Sequence, residues 1–188
     1  MVLLDELNRQ VSGCKKCGLS EARKNVVFGE GNPNATIMFI GEGPGEREDE
    51  TGRPFVGKSG MLLDKIFEAA DIRRDDVYIA NIVKCRPPGN RNPLPEEREA
   101  CLPYLRMQTK TIKPKIIVLL GSVAAKALID PQFKITKQHG QWIERKGYLM
   151  IATYHPSALL RTPALKKEAW ADFQSIRDKR NEIERAHT

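Results

Sequence analysis

Three short apolar runs constrain this chain more than any other feature. They are residues 36–40, containing Ile37, Met38, Phe39 and Ile40, residues 77–83, and residues 115–120, containing Ile116, Ile117, Val118, Leu119 and Leu120. A run of this length without polar alternation reads as a strand buried on both faces, which a mostly parallel sheet between two helical layers provides. Segments of helical period lie between them. Leu3, Leu4, Leu7 and Val11 share one face of a short helix ending near Ser12 and Gly13. Ser59 can N-cap a helix reaching Ala70, with Met61, Leu62, Leu63, Ile66 and Phe67 inward. Pro95, Glu96 and Glu97 open a helix towards Lys113, with proline early and acids in the first turn. A short helix over 122–129, a hairpin over 142–153 turning at Lys146 and Gly147, and a charged helix over 164–184 complete the chain. Alternating strands and helices predict an α/β fold. With no repeat, low-complexity tract or linker, residues 1–188 form a single expected domain.

In such folds ligands bind beyond the carboxyl ends of the strands. The loops after Ile40, after Val83 and after Thr153 qualify, and they hold most of the unusual residues. One site built from all three is the simplest expectation.

Composition narrows the class. Hydrophobic residues make up 40% and charged residues 29%, as in a soluble globular protein. The first ten residues carry Asp5, Glu6 and Arg9, unlike a secretory segment, and no apolar run spans a bilayer. A cytoplasmic location is expected. The net charge of +7 suits a polyanionic partner, because lysine and arginine displace counterions from phosphates.

The chain has four cysteines, Cys14, Cys17, Cys85 and Cys101. Without an export signal they read as metal ligands rather than disulfides. A close pair and two distant singles are enough for tetrahedral zinc or a 4Fe–4S cluster, and the spacing leaves both open. Two glycine motifs are decoys. Gly52 to Ser59 matches the P-loop pattern, but the residues before it are polar and acidic rather than a strand, and no later strand ends in a magnesium-binding aspartate. Gly41, Gly43 and Gly45 lack the spacing of a dinucleotide loop.

Gly41-Glu42-Gly43-Pro44-Gly45 after a strand and His155-Pro156-Ser157-Ala158-Leu159 after the last strand resemble the two signature loops of the uracil-DNA glycosylase superfamily. The four cysteines, the stretch from Thr51 to Gly57, and Asn81 with Cys85, Arg86 and Pro87 resemble the thermostable, iron–sulfur family 4 enzymes. The resemblance covers nearly the whole chain. It implies a three-layer αβα sandwich, a 4Fe–4S cluster on Cys14, Cys17, Cys85 and Cys101, and hydrolysis of uracil from DNA by a monomer. Uracil-containing DNA, single- or double-stranded, is the implied partner, and no membrane is involved.

The resemblance also implies roles. Phe55 stacks on uracil, Asn81 bonds its pairing edge, and His155 donates to the charge developing on O2. Backbone N–H groups of Gly41 to Gly43 hold the carbonyls. Glu48 sits near C5, where a thymine methyl would clash, although residues 46 and 48–50 otherwise read as a solvated acidic loop. Gly43 stands where the best-known family carries an aspartate, so Glu42 is the nearest carboxylate to orient water. Leu159 and Leu160 are expected to wedge into the gap left by a flipped base, and Lys58 and Arg161 to hold phosphates. His139 and His187 have no comparable setting; His139 reads as a solvated surface residue, with contact to phosphate as the alternative.

Overall fold

The computed structural model describes residues 3–186. Its strands are β1 (Glu30–Gly31), β2 (Ile37–Gly41), β3 (Tyr78–Asn81), β4 (Ile116–Leu120), β5 (Ile143–Arg145) and β6 (Tyr148–Thr153). Its helices are α1 (Leu4–Ser12), α2 (Leu19–Ala22), α3 (Glu46–Thr51), α4 (Lys58–Ala69), α5 (Pro95–Ile112), α6 (Ser122–Leu128), α7 (Ile135–Gln138), α8 (Pro156–Arg161) and α9 (Lys166–Arg185). His187 lies outside the described residues. The strands form one sheet in the order β1-β3-β2-β4-β6-β5. The inner four are parallel, and an antiparallel strand borders each side.

Alternation within the inner strands builds a core on each face. Met38, Ile40, Tyr78, Ala80, Ile117, Leu119, Met150 and Ala152 pack on one side with α1, α5 and α6. Ile37, Phe39, Ile79, Ile116, Val118, Leu120 and Ile151 pack on the other with Leu63 and Phe67 of α4 and Phe173 and Ile176 of α9. This is the three-layer αβα arrangement. The loop after β2 leads to α4 on one face and the loop after β4 leads to α6 on the other, which opens a crevice at the carboxyl ends of the strands. Among the described residues no helix is long and apolar enough to cross a membrane.

Several expected boundaries move. β3 ends at Asn81, although Ile82 and Val83 still donate to the carbonyls of Gly41 (2.9 Å) and Glu42 (3.2 Å). Gly57, not Ser59, precedes the first turn of α4. Met61 faces outward and Leu3 is exposed. The acidic stretch at 46–51 is helix α3, not a solvated loop, with Glu48 and Asp49 buried. Backbone donors replace water there, because Asp49 accepts from the N–H groups of Lys24 (2.8 Å) and Asn25 (3.3 Å).

Gly60 lies inside α4, where alanine normally stabilises a helix by about 1 kcal/mol. Here a Cβ would strike the carbonyl group of Phe55. Gly60→Ala is therefore expected to destabilise the fold by about 1–3 kcal/mol, the usual cost of overpacking, as a lower urea midpoint. A raised midpoint would contradict this packing.

Candidate functional site

Gly41, Phe55 and Asn81 meet at the mouth of the crevice. A Cβ at residue 41 would lie 2.5 Å from Asn81 Oδ1 and 2.6 Å from Phe55 Cζ, so the absence of a side chain lets these groups approach. Asn81 is 2% exposed, and its Oδ1 has no hydrogen-bond partner among the described residues. A buried acceptor left unpaired costs about 1–3 kcal/mol, which marks it as an atom waiting for a donor. Phe55 is 5% exposed and has φ 50°, a conformation that side chains rarely adopt. Both flanks of its loop are tied. Arg74 donates to the carbonyls of Pro54 (2.6 Å) and Phe55 (3.0 Å). Glu48 Oε1 accepts from the N–H groups of Val56 (3.0 Å) and Gly57 (2.9 Å). Strain of this kind persists where the surroundings over-determine it, as they do here. The Glu48 bonds also dispose of the P-loop reading, since an internal carboxylate takes the N–H groups just ahead of α4.

His155 follows β6, and its ring centroid lies 5.5 Å from that of Phe55. The N–H of Ser157 donates to His155 Nδ1 (3.1 Å), which leaves the ring proton on Nε2. Burial lowers the His155 pKa to about 4, with Arg161 pushing the same way and Glu48 opposing, so the ring is neutral at pH 7. Gly121, at the end of β4 with φ 95°, leaves the space that the His155 Cβ occupies. Burial raises the Glu42 carboxyl above its ordinary value, against the attraction of Arg161 and Arg98.

His139 is not a surface residue. Its Nδ1 lies 2.9 Å from Asp172 Oδ2 and its Nε2 3.3 Å from Glu168 Oε2. Thr153 Oγ1 donates to Asp172 (2.6 Å) and Tyr154 Oη to Glu168 (2.7 Å). The two residues preceding His155 are thereby fastened to α9.

A cleft of about 850 Å³ joins these groups, lined also by Arg47, Lys58, Arg91, Ser157 and Arg161. That exceeds the needs of one base and leaves room for chain on either side. Lys58 and Arg161 stand on its wall. Leu159 does not, being 1% exposed against Tyr154 and Ala169, so it belongs to the core. Leu160, one position on, is turned outward and 45% exposed. Arg91 and Ser157 went unassigned in the sequence. Arg91 owes its place to a paired contact with Glu97 (2.8 and 2.9 Å), which also caps α5 at Leu94 N (2.7 Å).

The four cysteines form no disulfide and line one small pocket with Arg23, Lys84 and Tyr104. Among the described residues no three His, Cys, Asp or Glu side chains converge on one ion position. The pocket is cationic. Arg23 Nη1 lies 3.3 Å from Cys85 Sγ and 2.8 Å from the Cys14 carbonyl. Lys84 is fully buried, burial lowers its pKa to about 8, and its backbone N–H lies 3.3 Å from Cys101 Sγ. Burial pushes the Cys101 thiol up to about 11, so as a thiol it offers the ammonium no charge at pH 7. A buried ammonium without an anion costs several kcal/mol. Four thiolates holding a metal centre carry the negative charge that Lys84 and Arg23 lack, so these residues fit such a group.

Residues 28–174 match the sequence profile of the uracil DNA glycosylase superfamily. The chain is similar to a type-4 uracil-DNA glycosylase of Thermotoga maritima, 50% identical over 161 residues, covering 85% of this chain and 84% of that one. A type-4 enzyme of Archaeoglobus fulgidus is 45% identical over 184 residues, covering 94% and 92%. A type-5 uracil-DNA glycosylase of Pyrobaculum aerophilum is 33% identical over 160 residues, covering 76% and 70%. With its glycine-walled slot at the ends of four parallel strands, the chain belongs to the uracil-DNA glycosylase superfamily and, within it, to the type-4 family.

Proposed function

We propose that this protein, one domain acting as a monomer in the cytoplasm, removes uracil from single- or double-stranded DNA by hydrolysing the N-glycosidic bond. The unpaired Asn81 Oδ1, set between Gly41 and Phe55, carries this reading. A base inside a duplex is out of reach, so the nucleotide swings out into the cleft. Phe55 stacks on the ring. Asn81 accepts from N3–H and donates to O4, and backbone N–H groups at Gly41, Glu42 and Gly43 hold the carbonyls. Cytosine presents a bare N3 and an amino group there, leaving the amide unpaired, which is the strongest kind of rejection a polar site has. Glu48 stands on the C5 side against the thymine methyl. Lys58 and Arg161 hold flanking phosphates, Arg91 adds a third cation on the wall, and Leu160 alone fills the vacated stack.

The neutral His155 donates its Nε2 proton towards O2 as the C1′–N1 bond breaks and negative charge collects on uracil. Because that charge exists mainly in the transition state, the bond favours reaction over binding. Glu42 orients the water whose oxygen joins C1′. The water proton balances the uracil anion, giving free uracil and an abasic site. Cys14, Cys17, Cys85 and Cys101 hold a 4Fe–4S cluster, the anionic group that suits Lys84 and Arg23, and when bound it supplies a cross-link rather than a reaction step.

Alkali treatment after incubation with a uracil-containing oligonucleotide is expected to cut the strand at uracil. Intact strands from iron-loaded protein would overturn the activity. His155→Ala should lower the single-turnover rate by about 10²–10³ with little change in affinity for DNA. Because His155 protonates only near pH 4, its titration should leave no inflection around pH 6.5. An inflection there that vanishes in His155→Ala would contradict the neutral donor. Cys101→Ala should abolish broad visible absorption and lower the thermal midpoint, whereas a colourless, zinc-loaded wild type would refute the cluster.

A further inference from the structure

Lys84 lies between the cysteine pocket and Asn81. Its Nζ donates to the backbone carbonyl of Asn81 at 3.1 Å, and its own N–H faces Cys101 Sγ at 3.3 Å. Its carbonyl accepts from Val27 N–H at 2.8 Å, so the residue is held along its length. β3 ends at Asn81, a buried residue whose carbonyl needs a donor. A neutral donor would answer that need at far less cost than a fully buried cation. An ammonium here is explained when one group must both hold the Asn81 carbonyl and face a negative centre. The Phe28 ring, 5.9 Å from Nζ, closes the remaining side.

We propose that Lys84 is a positioning residue that transmits the integrity of the cysteine centre to the uracil-reading amide of Asn81. Its backbone N–H is held at Cys101 Sγ on one side and its ammonium is anchored on the Asn81 carbonyl at the other. That fixes the strand end from which the amide projects. The role rests on the uracil reading of the slot, and it makes no proton transfer and touches no substrate.

Wild type and Lys84→Met are compared for iron per chain, for affinity towards free uracil, and for affinity towards a duplex carrying a tetrahydrofuran abasic analogue. The abasic analogue meets the cationic rim but offers Asn81 nothing to bond. Lys84→Met should keep its iron and its abasic affinity, yet bind uracil and excise it about 10–100-fold less well, the usual cost of losing an outer-shell partner. Unchanged uracil affinity overturns the role. So does a parallel loss of uracil and abasic binding, or the failure of both Lys84→Met and Lys84→Gln to fold, since each makes the lysine a stability element. If Lys84→Met loses iron, Cys101→Ala serves as the control. Uracil affinity lost in Cys101→Ala while abasic affinity is kept supports the transmission, and uracil affinity kept in Cys101→Ala overturns it. A wild type that neither binds nor excises uracil instead sinks the glycosylase reading and this role with it.

Discussion

The site depends on the empty space at Gly41. Any Cβ there would meet both Asn81 Oδ1 and the Phe55 ring edge, so the strand end, the aromatic wall and the Asn81 amide can share one slot only around a glycine. Two further glycines extend the rule. Gly60 lets the Phe55 carbonyl rest against α4, and Gly121 makes room for His155. In each case the gain is close backbone approach, and the cost is chain entropy recovered by the rigid elements on either side.

Around that slot the protein holds charges where water would normally hold them. Glu48 is bound by two backbone N–H groups, Asp49 by two more, and Asp172 by Thr153 and His139. Each tie fastens a loop that bears a site residue or the segment beside it. Ties of this kind hold the loops in one geometry without relying on mobile solvent. The neutral state of His155 follows from the same dryness, since burial disfavours the imidazolium.

Much of this was legible in the residues. Ile37 to Ile40 and Ile116 to Leu120 read as buried strands because parallel strands need apolar side chains on both faces, and the sheet places them at its centre. The ends of α5 and the hairpin at Gly147 also followed from local chemistry. The misreadings share a cause. Helix α3 has no apolar stripe, because its inward residues, Glu48 and Asp49, are satisfied by distant backbone rather than by packing. β1 is two residues long and exists through its pairing with β3. Lys84 carried one unread signal, a lysine directly behind the run Ile82-Val83.

By itself the sequence determined the layer order and the loops whose residues line the cleft, because period and turn glycines are local properties. Tertiary structure alone decided which of those residues face the cleft. Leu159 turned into the core and Leu160 away from it, His139 was drawn inward by Asp172, and Lys84 was enclosed between Asn81 and the cysteines. Such outcomes depend on what the neighbouring elements bury and pair, and that is settled only when the layers meet.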